Sequence, residues 1–240
     1  MATVYTVSKE LREFVENGMK RNPFAVLSRL VYDGVYQEII EGRLTVKDSI
    51  VVSQLAESLN LSRTPVKIAM EELLEQNMLE KREGNKLGVR RVSFAEGSLL
   101  FEARMAIETQ SAYLAARRVT EEELRQMEKL LDWFRQIDAA QDAEQFVHCD
   151  RAFHELVVRA SKNQFLVDTY ACLKGPLQRF RFQVLQLPYR DLCHRNGIME
   201  ELDYHFCVYE ALSRHLPMEA KDAIYRDVER MHGTIYMVKV

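Results

Sequence analysis

Glycine and proline are scarce, 9 and 5 in a chain of 240 residues. Long stretches such as 121–134 show no β-type alternation, so the chain reads as mainly α. No apolar run approaches the roughly 20 residues that a membrane span needs, and the N-terminus lacks a basic region joined to an apolar one. A cytoplasmic protein with no membrane partner is therefore expected. The four cysteines, Cys149, Cys172, Cys193 and Cys207, lie far apart with no C-x-x-C pair, which excludes a zinc ribbon or redox motif and predicts reduced, mostly buried thiols. Lys and Arg number 33 against 36 Asp and Glu, which excludes a uniformly basic coat for nonspecific nucleic-acid binding but not a local basic patch. No repeat of 20 to 50 residues is visible, which argues against a solenoid.

What is present begins with a helix pair. Gln54 to Leu61 and the run Ser62-Arg63-Thr64-Pro65-Val66-Lys67-Ile68-Ala69 read as a helix, a tight turn and a second helix. Ser62 is expected to cap the second helix, and Pro65 falls in its first turn, where a missing N–H costs nothing. Arg63, Thr64 and Lys67 then cluster at a helix N-terminus, which favours phosphate oxygens and guanine edges. A surface cation is the plain alternative for Arg63, but its charge opposes the helix dipole and a bound anion relieves that conflict.

Around this pair the apolar spacing predicts helices over about 24–41, 48–59 and 63–77. Residues 78–82 and 84–92 then form two short strands turning at Asn85. A basic hairpin after a helix-turn-helix is a wing, whose Lys81, Arg82, Lys86, Arg90 and Arg91 can reach phosphates. A merely solvated hairpin is the alternative. Residues 1–23 read as a loosely attached extension with some helix, 24–93 as a winged helix-turn-helix domain and 94–97 as a linker. Residues 98–240 read as an all-helical bundle of about six helices, at 98–118, 120–139, 142–161, 164–186, 190–214 and 217–237.

Within the bundle, Asp150 and His154 stand four apart on one helix face, a spacing suited to a shared metal ion and equally to a surface hydrogen bond. His205 lies among Tyr204, Phe206, Val208 and Tyr209, where an imidazole needs a partner. Arg104 and Glu108 are spaced for an intrahelical ion pair. Arg181, between Phe180 and Phe182, is a candidate for a pocket wall. His148, His194 and His215 read as surface or packing residues. Asp, His and water around a metal can also hydrolyse esters or amides, so a metal-dependent hydrolase is the alternative of a different class.

The order of a winged helix carrying Ser62-Arg63-Thr64-Pro65-Val66-Lys67, then a bundle with Arg104-Met105-Ala106-Ile107-Glu108 and Asp150-Arg151-Ala152-Phe153-His154, resembles the GntR family of bacterial transcription regulators. Within it, the chain is similar to the FCD-type (FadR-like) branch over roughly residues 24–240. The resemblance implies a homodimer that binds double-stranded DNA at an inverted repeat and responds to a small organic acid effector. Arg63 and Lys67 match its DNA-touching positions, Ser62 and Thr64 would hold phosphates, and Asn85 and Lys86 would contribute from the wing. Ser53 and Gln54 stand where some relatives carry another base-reading arginine.

Asp150, His154 and His205 match the first three metal ligands of the branch. Asp227 takes the fourth place, where relatives commonly have histidine; His232 is the alternative, about 140° further around the helix. Two carboxylates and two imidazoles form a harder donor set, which admits zinc and favours manganese or another borderline divalent ion such as nickel. Arg104 matches the arginine that grips an effector carboxylate, with Arg181 as a second candidate.

Overall fold

The structure is a computed structural model that describes residues 3–22, 24–137, 143–185 and 204–237. It divides into two compact units, Met1–Arg91 and Val92–Val240. Unit 1 contains α1 (Lys9–Arg21), α2 (Leu27–Ile40), α3 (Val52–Ser58) and α4 (Arg63–Glu75), with strands β1 (Thr3–Val4), β2 (Asp48–Ser49), β3 (Leu79–Arg82) and β4 (Lys86–Val89). In α4 the apolar positions Val66, Ala69, Met70 and Leu73 recur at helical spacing and are all buried. They share a core with Val31, Val35 and Ile39 of α2. Asn60, in the tight turn between α3 and α4, takes a left-handed φ of 53°, which asparagine tolerates better than most residues.

The strands β3 and β4 pair antiparallel from Leu79 opposite Val89 to Arg82 opposite Lys86. Their connection passes through Gly84 and Asn85 at φ 69° and 56°, as the sequence chemistry of the turn anticipates. Arg82 does not behave as a free wing cation. Its guanidinium donates to the carbonyls of Asp48 at 2.7 Å and Val46 at 3.0 Å, lying so close over Gly88 that a Cβ there would meet Arg82 Cζ at 2.0 Å. Its charge ties the wing to the β2 segment instead of facing outward.

The first 23 residues also differ from a loose extension. The strand β1 pairs parallel with β2, Ser8 caps α1 by accepting from the Leu11 N–H at 2.9 Å, and Leu11 and Val15 are buried in the unit 1 core. Buried Glu38 accepts hydrogen bonds from the Tyr5 hydroxyl and, at 2.7 Å, from Arg43 Nε. The segment carries its own apolar stripe (Val7, Leu11, Val15) and a strand that meets β2, which is why it joins the core.

Unit 2 is helical: α5 (Phe94–Arg118), α6 (Glu121–Phe134), α7 (Ala143–Ala160), α8 (Gln164–Leu185), α9, helical over 204–213, and α10 (Pro217–Met237). Residues 94–97 are the first turn of α5 rather than a linker. Ser93 Oγ accepts from the Glu96 N–H at 3.1 Å and Glu96 returns the bond to the Ser93 N–H at 2.9 Å, a capping box. Gly97 serves packing, since a Cβ there would lie 2.4 Å from Phe180 Cζ.

The long α5 packs against α7, α8 and α10. Its face mixes Ala112, Ala115 and Ala116 with buried Arg104, Glu108 and Ser111. The expected breaks at 141–142 and 187–188, the part of the expected 190–214 helix before residue 204, and with it His194 and Cys193, lie outside the described residues. Cys149 is buried, and burial beside Asp150 pushes its thiol up to about 12. Cys172 and Cys207 are exposed, against the expectation of mostly buried thiols. No helix among the described residues is long and apolar enough to cross a membrane.

If α1 belongs to the core, Leu11→Ala should destabilise unit 1 by about 2–5 kcal/mol. Thermal and urea denaturation of the full chain would measure it, and an unchanged midpoint would restore the loose extension.

Candidate functional site

In unit 1 the outward face of α4 carries the candidate DNA-contacting residues. Ser62, Arg63, Thr64 and Lys67 are all exposed. Ser62 occupies the cap position with extended backbone but makes no side-chain cap bond. Pro65, three residues on, has no N–H to donate, so one of the two usual cap bonds cannot form, and the Thr64 N–H makes none either. The Ser62 hydroxyl and the N-terminal N–H groups are thereby left to an incoming anion. Lys67 Nζ stands 3.6 Å from Glu71 Oε1, an exposed pair that a phosphate can outcompete. Asn85 is exposed at the wing tip and Lys86 is half-buried beside it. Sequence reasoning passed over Ile68, exposed next to Lys67 and one turn after Thr64, a side chain able to meet a thymine methyl.

In unit 2 the four proposed ligands converge. Asp150 and His154 project from α7, His205 from α9 and Asp227 from α10, and all four are buried. His154 Nε2 lies 3.2 Å from Asp150 Oδ1, His205 Nε2 lies 3.3 Å from the same oxygen, and the two Nε2 atoms are 3.1 Å apart. Atoms bound at roughly 2.0–2.1 Å to one tetrahedral ion stand about 3.3 Å from each other, so this triangle has the size of one face of such a shell. Asp227 Oδ2 approaches the imidazole edge, 3.1 Å from His154 Nε2 and 3.7 Å from His205 Nε2. Asp150, His154 and His205 thus make a possible metal site with Asp227 beside it. The rings of Phe153 and Phe134 meet His205 at centroid distances of 4.6 and 5.2 Å and hold its plane.

A second layer of charge surrounds these residues. Glu108 Oε2 stands 2.7 Å from His154 Nδ1, and Glu108 Oε1 accepts from Arg104 Nε at 2.5 Å. A carboxylate on the far nitrogen of a ligating histidine fixes which nitrogen faces the metal and raises its basicity. Arg181 Nη2 pairs with Asp150 Oδ2 at 2.5 Å, leaving Oδ1 to face the imidazoles. The Arg181 expected on a pocket wall is thus committed to a proposed ligand. Arg104 differs: fully buried, it has no hydrogen-bond partner at Nη1 or Nη2 among the described residues. Of the residues read as packing, His215 bonds through Nδ1 to the Ala116 carbonyl oxygen at 2.8 Å.

The electrostatics follow from this arrangement. Burial pushes the Glu108 carboxyl up, but Arg104 and then His154 more than offset it and hold it at about 2. Burial likewise opposes ionisation of Asp150, yet Arg181 and His154 hold it well below the usual carboxylate range. Asp227 is lowered against its burial by His205 and His154. Burial raises the Tyr170 hydroxyl, and Glu108 raises it further. Sequence spacing could not reveal the Glu108–His154 or Arg181–Asp150 contacts, which join different helices.

The sequence matches the FCD domain over residues 99–230 and the family described as bacterial regulatory proteins, gntR family, over residues 27–89. The HTH-type transcriptional repressor RspR of Escherichia coli (strain K12) is 26% identical over 164 residues, covering 67% of this chain and 71% of that protein. The HTH-type transcriptional regulator YcbG of Bacillus subtilis (strain 168) is 24% identical over 230 residues, covering 87% and 90%. The solved structure of E. coli McbR/YncC matches with a TM-score of 0.74 at 18% identity, over 90% of this chain and all 100% of that one. A transcriptional regulator GntR from Rhodococcus sp. RHA1 matches at 0.70 and 17% identity, over 87% and 97%. At these identities the structural likeness is one of fold. The hydrolase alternative falls with the two family matches and the regulators among the relatives. The chain belongs to the GntR family of bacterial transcription regulators, in its FCD branch, and is a DNA-binding regulator rather than an enzyme.

Proposed function

We propose that this regulator is a cytoplasmic homodimer whose hold on an inverted-repeat operator is set by a small organic acid bound, together with a divalent metal, in unit 2. The observation that carries the input half is Arg104, a fully buried guanidinium near the Asp150, His154 and His205 triangle, two of whose nitrogens have no hydrogen-bond partner among the described residues. A planar fork with two free N–H groups suits a carboxylate. The metal would be held by Asp150, His154 and His205, with Asp227 as the fourth donor, and would polarise the same acid as a Lewis acid. Zinc, manganese and nickel all suit this mixed set of nitrogen and oxygen donors. Glu108 orients His154, and Arg181 keeps one oxygen of Asp150 occupied.

For the output half, Arg63 and Lys67 would read bases or phosphates, Ser62 and Thr64 would hold phosphates, and Asn85 and Lys86 would add wing contacts. The acid couples to the operator by favouring one state of the regulator over the other, worth about 1–3 kcal/mol where such coupling is typical.

Selection from random duplexes should enrich an inverted repeat, and its release by organic acids can then be screened. Arg63→Ala should weaken binding to the selected site by about 1–3 kcal/mol. If Lys67 touches a phosphate, Lys67→Ala should lower the slope of affinity against salt by about 1. Random enrichment with no repeat would sink the dimeric reader. On the input side, equilibrium dialysis with elemental analysis should find a retained divalent ion that Asp150→Ala and His205→Ala both lose. Equal retention by parent and variants would remove the site.

Glu108 also sets an acid limit. Its folded pKa of about 2 lies below the ordinary 4.5, so its stabilisation is fully present above about pH 4.5 and lost as pH falls through about 2. Melting temperature should therefore fall more steeply over that interval for the parent than for Glu108→Gln, as followed by circular dichroism.

A further inference from the structure

The buried cluster of unit 2 has a charge inventory that selects among acids. Asp150, Asp227 and Glu108 bring three carboxylates, and Arg104 and Arg181 bring two guanidiniums, all buried. The two imidazoles are neutral when they ligate through Nε2. The side chains of the cluster thus carry one net negative charge, and a divalent ion converts this to one net positive charge. An uncompensated unit charge in a protein interior is strongly disfavoured, so the loaded cluster matches a ligand with one negative charge.

Resting on the effector reading above, we infer that this cluster takes small monocarboxylates and discriminates against dicarboxylates of the same size. Arg104 offers one carboxylate its fork, because Nη1 and Nη2 are unpartnered while Nε serves Glu108. Arg181 is less open to a second carboxylate: its Nη2 already lies 2.5 Å from Asp150 Oδ2, which leaves Nε without a hydrogen-bond partner but no free fork of two outer nitrogens. Asp227 decides the balance whether or not its oxygen touches the ion. At 3.1 Å from His154 Nε2 and 3.7 Å from His205 Nε2, its charge lies inside the cluster. A neutral side chain at this position leaves two net positive charges around the metal and suits a dianion.

The test uses the full chain loaded with manganese or zinc and titrated calorimetrically with acids matched in size. Propionate and lactate carry one charge and malonate carries two, and metal content is measured after each titration. The parent should bind a monocarboxylate at least about tenfold more tightly than malonate, as the cost of a second buried charge requires. Asp227→Asn should reverse the order, and Asp227→His, which retains a donor for the metal, should do the same if the amide variant fails to fold. A parent that prefers malonate, or variants that keep the parental order, would overturn the charge rule while leaving the metal-and-acid reading intact. Failure of the parent to hold metal or to bind any acid would instead overturn that reading, and the charge rule with it.

Discussion

Ionised groups survive in a protein interior only when each finds an opposite charge, because the loss of water around them is otherwise prohibitive. Unit 2 obeys this constraint along one continuous chain of contacts. Arg104 holds Glu108, Glu108 faces His154, His154 meets Asp150 and Asp227, and Asp150 holds Arg181. These residues come from α5, α7, α8 and α10, so satisfying the charges also fixes how four helices meet. Removing one member leaves its partner buried and unpaired. The outer nitrogens of Arg104 are left without a hydrogen-bond partner among the described residues, at one end of this chain of contacts.

The DNA-binding unit follows a different rule, in which polar groups are left unsatisfied on purpose. Pro65 denies Ser62 one of its usual capping partners, and the exposed N-terminus of α4 keeps its hydroxyls and cations outward. The wing is stiffened from behind: Arg82 is spent on the carbonyls of Val46 and Asp48, so the hairpin can present Asn85 without relying on it for charge. Packing of α1 against α2 gives this small unit a larger core than its helix-turn-helix alone would have, as small domains need.

Much of this was legible in the residues. The 3.6-residue spacing of apolar positions located most described helices of unit 2 to within a few residues, and the Asp150/His154 spacing placed two carboxylate and imidazole donors on one face. His205 announced itself by its apolar neighbours. The rest depended on contacts that sequence separation hides. Glu108 lies 46 residues before His154, and the reading of its i,i+4 pair with Arg104 gave no hint of a second partner. Two local signals point the other way from the sequence reading: Ser93 and Glu96 spell a capping box where 94–97 reads as a linker, and Leu11 with Val15 marks a buried stripe where 1–23 reads as a loose extension. Arg82 looked like any other wing cation, because nothing local says which way an arginine on a short strand points.

One modest contact has a use of its own. Gln183 of α8 donates to the Val92 carbonyl at 2.8 Å and accepts from the Val92 N–H at 3.2 Å, two residues along from the arginine that pairs with Asp150. That amide belongs to neither a helix nor a strand, so its exchange with solvent is governed by a single side chain. The Val92 N–H is consequently a built-in gauge of α8: its protection against deuterium lasts as long as Gln183 stays seated, and one resonance can follow the helix that touches Asp150.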